Sequence, residues 1–217
     1  MSKSVMRRRS LLTLIASAGF VTEAPVLLAA GTRSVVVQPL GPGSAAPAAL
    51  VGSSLAALYD VDVRVANVMP LPATAFYAAR GRYRAEKLLE SLAALHESAF
   101  RVLGVTAADI STTKGRVADW GILGLASIDG RACVLSSFRC RRGARDARHA
   151  AERLGKTAVH ELGHTFGLEH CPTRGCLMHD GEGTVLTTDG ERDLCSACRA
   201  LLAAHGFLRA NARSPWA

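Results

Sequence analysis

His160-Glu161-Leu162-Gly163-His164-Thr165-Phe166-Gly167-Leu168-Glu169-His170 is the stretch on which the reading of this chain turns. Just upstream, Ala147, Ala151, Leu154, Ala158 and Leu162 recur every three to four residues, an apolar stripe that predicts one helix over 145–166. On such a helix His160 and His164 stand one turn apart on nearly the same face, so both imidazoles reach one ion. Glu161 sits about 100 degrees round from His160, near that ion without being forced to bind it. Gly167 suits a left-handed turn that stops the helix, and the chain then folds back to offer His170. Zinc in hydrolytic sites takes three protein ligands and keeps an open position. His160, His164 and His170 are therefore candidate ligands of a catalytic zinc, with Glu161 as candidate general base. A bare His-Glu-x-x-His also arises as two ordinary helix histidines, but the longer form with Gly167 and His170 in place argues against that reading.

The cysteines carry the next signal. They are Cys133, Cys140, Cys171, Cys176, Cys195 and Cys198, and the last four follow the histidines directly. Cys-x-x-Cys beside a dense histidine cluster reads as metal chemistry sooner than as stapling. Cys195 and Cys198 stand at i and i+3 on a helix that Thr188-Asp189-Gly190-Glu191 would open as a capping box. Their thiolates can point the same way, and the loop pair Cys171 and Cys176 completes a tetrahedron. A four-sulfur site has no open position, so this zinc is structural and clamps the turn after His170 to the C-terminal helix. The competing reading is two disulfides in a chain exported unfolded. Cys133 reads as a core residue and Cys140 as a loop thiol. His179 and His205 lie outside the spacing of either site and read as surface histidines.

The extended histidine motif resembles that of the metzincin metallopeptidases, which share it together with a methionine turn. Cys171 directly after His170, Cys176 after four more residues, Met178 two later, and Cys195-Ser196-Ala197-Cys198 narrow the resemblance to the archaemetzincin family. In that family four cysteines hold a second zinc beside the catalytic one. The likeness continues upstream through residues 80–89, 104–110 and 121–137, so it covers most of the chain after about residue 34. The spacer between Met178 and Cys195 is slightly shorter than the family's pattern. The resemblance implies a zincin-like fold, hydrolysis of peptide bonds, two zinc ions per chain, and Met178 in a methionine turn beneath the histidines. A generic core methionine would be buried equally. The implied mechanism is hydrolysis by a zinc-activated water, its pKa lowered to roughly 7, with Glu161 taking the proton and passing it to the leaving amine.

The rest of the chain is read around this motif. At 217 residues, 49% apolar and 20% charged, it has the length and composition of one globular domain. The valine run at 34–38 and the alternating Val61, Val63 and Val65 predict strands, with an Ala/Leu-rich helix over 48–58 between them. Residues 69–74 carry Pro70 and Pro72 and read as irregular. Ala85, Leu88, Leu89, Leu92, Leu95 and Ala99 form a stripe that predicts a helix over 84–100, followed by a strand at 102–105. Runs at 122–128 and 131–137 joined by Asp129-Gly130 predict a hairpin with a type I′ turn. This order specifies an α/β (α+β) fold, with a mixed, mostly parallel sheet, an antiparallel edge hairpin and helices packed on it. The expected organisation is a leader at 1–33 and a single peptidase domain at 34–217. That domain divides into an upper sheet and active-site helix (34–167) and a lower zinc-clamped part with one helix (168–217). The hairpin strand ahead of the active-site helix is expected at the sheet edge, where an extended peptide can pair.

Charge excludes several classes. The net charge is +8, of which +3 lies in residues 1–30. The remainder is weak ground for nucleic-acid binding: the arginines lack interleaved aromatics, and the cysteine and histidine spacing is not that of a nucleic-acid finger. Arg139, Arg141, Arg142, Arg145, Arg148 and Arg153 read as a solvated loop and helix face; the alternative is an anion or substrate-carboxylate contact beside the active site. A non-catalytic, zinc-stabilised interaction module is the rival function, and Glu161 argues against it, since a structural site needs no base. No apolar run reaches the length of a membrane span. The expected partner is a peptide or protein substrate, met by a monomer. Arg7-Arg8-Arg9, the mild apolar stretch at 11–22 and the small residues near Ala30 fit a twin-arginine-type signal, which exports folded proteins; the alternative is a cytoplasmic enzyme. A reporter fused to residues 1–35 is expected to leave the cytoplasm and to be trapped inside when Arg7, Arg8 and Arg9 become Lys. Retention of the intact fusion would favour the cytoplasmic reading.

Overall fold

The valine run at 34–38 forms the first strand, β1 (Ser34–Leu40), of a computed structural model describing residues 33–181 and 184–217. The leader expected at 1–33 lies, apart from Arg33, outside the described residues. After β1 come α1 (Ala45–Leu58), β2 (Asp62–Val65), two short strands β3 (Phe76–Tyr77) and β4 (Arg82–Arg84), and α2 (Ala85–Ala93). Five strands follow: β5 (Arg101–Thr106), β6 (Ile110–Lys114), β7 (Val117–Ile122), β8 (Gly124–Ala126) and β9 (Ala132–Ser136). The helices α3 (Ser137–Cys140), α4 (Ala147–Thr165), α5 (Leu186–Gly190) and α6 (Ser196–Ala204) complete the order. Among the described residues no helix is long and apolar enough to cross a membrane.

The main sheet runs β2-β1-β5-β9-β8, parallel throughout except for β8, which pairs antiparallel with β9 and forms one edge. Alternation along its strands sorts two cores. Val35, Val37, Leu103, Val105, Cys133 and Leu135 pack with the residues of α1 and α4, whereas Val36, Val102, Ala132 and Val134 pack with α2. Both faces are covered, which is why the parallel strands read as near-continuous apolar runs. A second, smaller sheet, β3-β4-β6-β7, was not legible in the sequence, because its strands are short and largely polar.

Several expectations are corrected. The helix predicted over 84–100 stops at Ala93: the Arg131 guanidinium takes the carbonyls of Ala93 and His96, and His96 adopts φ 50°. The chain must turn there to enter β5, and the turn keeps Leu95 and Ala99 on the core side, so the apolar period outruns the helix. The hairpin strand shrinks to β8, with Ile122 belonging to β7 in the other sheet. Its turn is not type I′, since Asp129 alone of the pair takes positive φ; the Asp129 N–H instead donates to His164 O at 3.0 Å. Cys140 is a buried helix residue rather than a loop thiol.

Thr188–Glu191 does not open the cysteine helix either. It ends α5, and Cys195 is itself the N-cap of α6. The Asp189 carboxylate is drawn instead to α4, where Arg153 Nε and Nη2 donate to its two oxygens at 2.7 Å each and His149 Nε2 lies 2.7 Å from Oδ1. Arg153 is only 1% exposed, so the solvated-face reading of the basic run holds for Arg141, Arg142, Arg145 and Arg148 but not for Arg153. Buried Lys156 adds a bond from Nζ to Thr188 O at 3.1 Å and an ion pair with Glu152. Asp146, whose carboxylate accepts from His149 N–H at 2.7 Å, caps the start of the same helix.

The Arg153 hydrogen bonds foremost, and then His149, push the Asp189 carboxyl down to about 2. A carboxylate depressed in the folded state contributes stability above its unfolded value and loses it as pH falls through the folded one. Asp189→Asn is therefore expected to lower the urea midpoint at neutral pH, and the gap to the parent to close between pH 3.8 and about 2. A gap that stays constant over that range would remove the charge from the account of this clamp.

Candidate metal centre and cleft

Helix α4 ends in a Schellman closure. Gly167, at φ 88°, donates its N–H to His164 O at 3.0 Å, and Leu168 N–H donates to Gly163 O at 3.1 Å. Glycine takes that backbone conformation at little cost, and the reversed chain delivers His170 beside the helix. The ligand atoms of His160, His164 and His170 lie within 4.8 Å of one another, as the sequence led us to expect.

Each helix histidine is oriented through Nδ1, His160 to Leu177 O at 2.8 Å and His164 to Leu168 O at 2.7 Å. A carbonyl only accepts, so both protons sit on Nδ1. The two Nε2 atoms then face each other at 3.0 Å with lone pairs and no proton between them. Burial, with the neighbouring His164 adding to it, pushes the His160 pKa down to about 3, and burial also lowers His164. Neutral rings with converging lone pairs are the donor set that a borderline-soft cation such as zinc satisfies. His170 completes the face, its Nδ1 lying 3.8 Å from an Asp180 carboxylate oxygen.

Glu161 is 7% exposed, and burial pushes its carboxyl up to about 8. It lies against Gly124 of β8, where a Cβ would stand 2.5 Å from Oε1. Met178 is fully buried under α4, with its Sδ 2.6 Å from where a Cβ at Gly163 would be. Both glycines make room for site residues, a role invisible without the fold. A cleft of about 440 Å³ runs along β8 past His160, Glu161 and His170, with Arg139, Thr188 and Glu191 also in its walls. His179, read as a surface histidine, is half-buried and lines this cleft, whereas His205 is exposed.

None of the six cysteines is paired in a disulfide, which goes against the disulfide reading. Cys171, Cys176, Cys195 and Cys198 converge within 4.8 Å. The contacts Cys171 Sγ to Cys195 Sγ at 3.6 Å and Cys176 Sγ to Cys198 Sγ at 3.8 Å are far beyond a disulfide bond of about 2.0 Å. They match instead the edge of a tetrahedron with zinc–sulfur bonds of about 2.3 Å. Cys195 N–H donates to Cys176 Sγ at 3.3 Å and Thr173 N–H to Cys171 Sγ at 3.4 Å, bonds that favour thiolates. The sulfurs divide. Burial opposes the ionisation of Cys195, yet the Cys198 N–H and the neighbouring sulfurs outweigh it and hold the thiol down at about 7, whereas burial pushes Cys176 up to about 11 and raises Cys198 as well.

The family model for peptidase family M54 matches residues 59–203. The chain belongs to peptidase family M54. It is accordingly a zinc metallopeptidase, and its two ligand clusters suit that metal. An archaemetzincin of Halobacterium salinarum is 32% identical over 172 residues, covering 76% of this chain and 96% of that protein. An archaemetzincin of Haloquadratum walsbyi is 33% identical over 176 residues, covering 77% and 98%. Among solved structures, an archaemetzincin from Methanopyrus kandleri superposes with a TM-score of 0.69 at 29% identity, covering 82% of this chain and 98% of that one. One from Archaeoglobus fulgidus, in complex with malonate, gives 0.66 at 28%, covering 77% and 99%. Membership of family M54 carries the mixed α/β fold with its mixed sheets, in agreement with the topology above.

Two substitutions probe the packing of this site. Gly124→Ala is expected to displace the Glu161 carboxylate and lower turnover by about 100-fold while leaving zinc content and the melting midpoint near the parent's. Gly163→Ala gains about 1 kcal/mol of helix propensity but crowds Met178, so a net loss of about 1–2 kcal/mol is expected in urea unfolding. Unchanged turnover in the first, or a gain in stability in the second, would contradict these contacts.

Proposed function

We propose that His160, His164 and His170 hold the catalytic zinc, that Glu161 is the general base, and that Cys171, Cys176, Cys195 and Cys198 hold a second, structural zinc. The observation that carries this reading is the pair of Nε2 atoms facing each other at 3.0 Å while each Nδ1 is taken by a backbone carbonyl. Zinc, when bound, lowers the pKa of water to roughly 7 and polarises a substrate carbonyl. Glu161 takes the proton of the attacking water and returns it to the leaving amine, as its place beside the histidines and over the cleft allows. The outer edge of β8 has no strand partner among the described residues, so its N–H and C=O groups suit an extended peptide added as a further strand. Met178 and Gly167 are supports: one fills the space under the helix, the other turns the chain towards His170.

The four-sulfur site ties the loop after His170 to α6 and has no room for a reacting group, which separates the upper, catalytic part of the domain (34–167) from a lower, zinc-clamped one (168–217). Residues 34–217 act as one monomeric, zincin-like domain of the metzincin type, exported in folded form by the leader at 1–33. A chelator is expected to strip the histidine site first and abolish peptide hydrolysis without unfolding, whereas loss of the cysteine-bound metal melts the region around 171–198. Elemental analysis is expected to find two zinc ions in the parent and in Glu161→Ala, with turnover in that variant lower by about 100- to 10,000-fold, and one zinc in His170→Ala. One zinc per parent chain would remove the second site, and full activity in Glu161→Ala would remove the base.

A further inference from the structure

We propose that Arg139 makes one wall of the cleft a carboxylate-binding subsite, so that the enzyme selects peptides with an acidic side chain or a free C-terminal carboxylate near the scissile bond. The proposal rests on the peptidase reading above. Arg139 lies flat across Gly121, where a Cβ would stand 1.8 Å from Nη2. Asp109 grips one edge of the guanidinium, Oδ1 accepting from Nε at 2.7 Å and Oδ2 from Nη2 at 3.0 Å. That fork uses two of the five N–H donors. Nη1 makes no hydrogen bond among the described residues, and the side chain, 18% exposed, lines the cleft.

Arg153 shows what a purely structural arginine looks like in this fold. It makes the same fork with Asp189, but its Nη1 is occupied by Cys140 O at 3.3 Å and Arg142 O at 2.9 Å. Arg139 is pinned in the same way on one side and left with donors on the other. A guanidinium so held is pre-organised for a second planar carboxylate.

The surrounding charge agrees. Asp109 is shared with Arg82, whose Nε lies 3.4 Å from Oδ2, so it does not cancel Arg139 alone. Arg142 and Lys114 also line the cleft and make no ion pair among the described residues; they lie over Phe138 at 5.1 Å and Trp120 at 5.6 Å. Among the described residues, the carboxyls that line the cleft are Glu161 on α4, and Asp180 and Glu191 on the chain after it. Gly121, under Arg139, is three residues from Gly124, against Glu161, a reach of at most about 10 Å in extended chain. The guanidinium is thus within two or three residues of the bond that Glu161 serves.

Matched quenched-fluorescence peptides test this, with Glu or Gln scanned through three positions on each side of the cleaved bond and with the C-terminus free or amidated. In the parent, kcat/KM is expected to favour Glu over Gln at one or more positions, or free acid over amide, by about tenfold or more. The arm that responds identifies which carboxylate the subsite reads. In Arg139→Gln the ratio should fall towards one. Should that variant not fold with Asp109 short of a partner, Arg139→Lys keeps a charge there but loses the planar fork that grips Asp109 with one edge and leaves donors on the other, so the ratio should fall too. Anisotropy with the same peptides on zinc-loaded Glu161→Gln protein reads the preference without turnover. Absence of hydrolysis would then overturn only the peptidase reading. Equal handling of charged and neutral peptides by the parent in both assays, or a preference that survives loss of Arg139, would overturn the subsite.

Discussion

Two histidine rings held so that their Nε2 atoms face each other across 3.0 Å are the constraint around which this molecule is arranged. Backbone carbonyls hold each ring from the other side, Leu177 O at His160 and Leu168 O at His164. Those carbonyls come from different places. Leu168 O is supplied by the Schellman closure at the end of α4 itself. Leu177 O belongs to the loop between Cys176 and Met178, which is fixed by a bond from Leu177 N–H to Asp193 O and by the convergence of the four cysteines. The sulfur cluster therefore reaches the histidine site through one carbonyl as well as through His170. This is outer-shell control of a metal site, in which the partner of the second ring nitrogen sets tautomer and direction.

The same helix carries a different task in its first half. Arg153 and Lys156 are buried there, and removing one member of such a group leaves an uncompensated charge in a low-dielectric interior. Their partners, Asp189 and Thr188 O, belong to the segment whose Thr188 and Glu191 wall the cleft. One rigid rod thus presents the ligands at its C-terminal end and anchors a cleft wall along its N-terminal part. A site on such a rod is held more closely than one on loops. The sheet edge opposite is brought close enough that Gly124 has no space for a side chain beside Glu161.

How much of this was legible depends on the range of the interaction involved. His160, His164, Gly167 and His170 act within one helix and its terminal turn, where a period of 3.6 residues and a left-handed glycine fix directions locally. The parallel strands were legible because burial on both faces leaves apolar runs. The second sheet was not, since its short polar strands have no period to detect. The helix over 84–100 was overextended because a turn that stays on the core side continues the same apolar spacing. Thr188 and Glu191 suggested a capping box because the pattern is local, whereas the actual partner of the intervening Asp189, Arg153, lies 36 residues away.

The sequence by itself determined which side chains come together: three histidines about one helix end, the glutamate beside them, and four converging cysteines. Their spacing is short, and the backbone geometry of a helix and a turn leaves few alternatives. Tertiary structure alone decided the state of the cysteines, the fate of the arginines and the shape of the cleft. Arg139, Arg142 and Arg153 look alike in the chain, yet one is held by Asp109 in the wall of the cleft, one lies over Phe138 and one is sealed in the core. Nothing in their neighbours along the chain distinguishes them, because the carboxylates and carbonyls that sort them arrive from distant segments only when the sheets and α4 have packed.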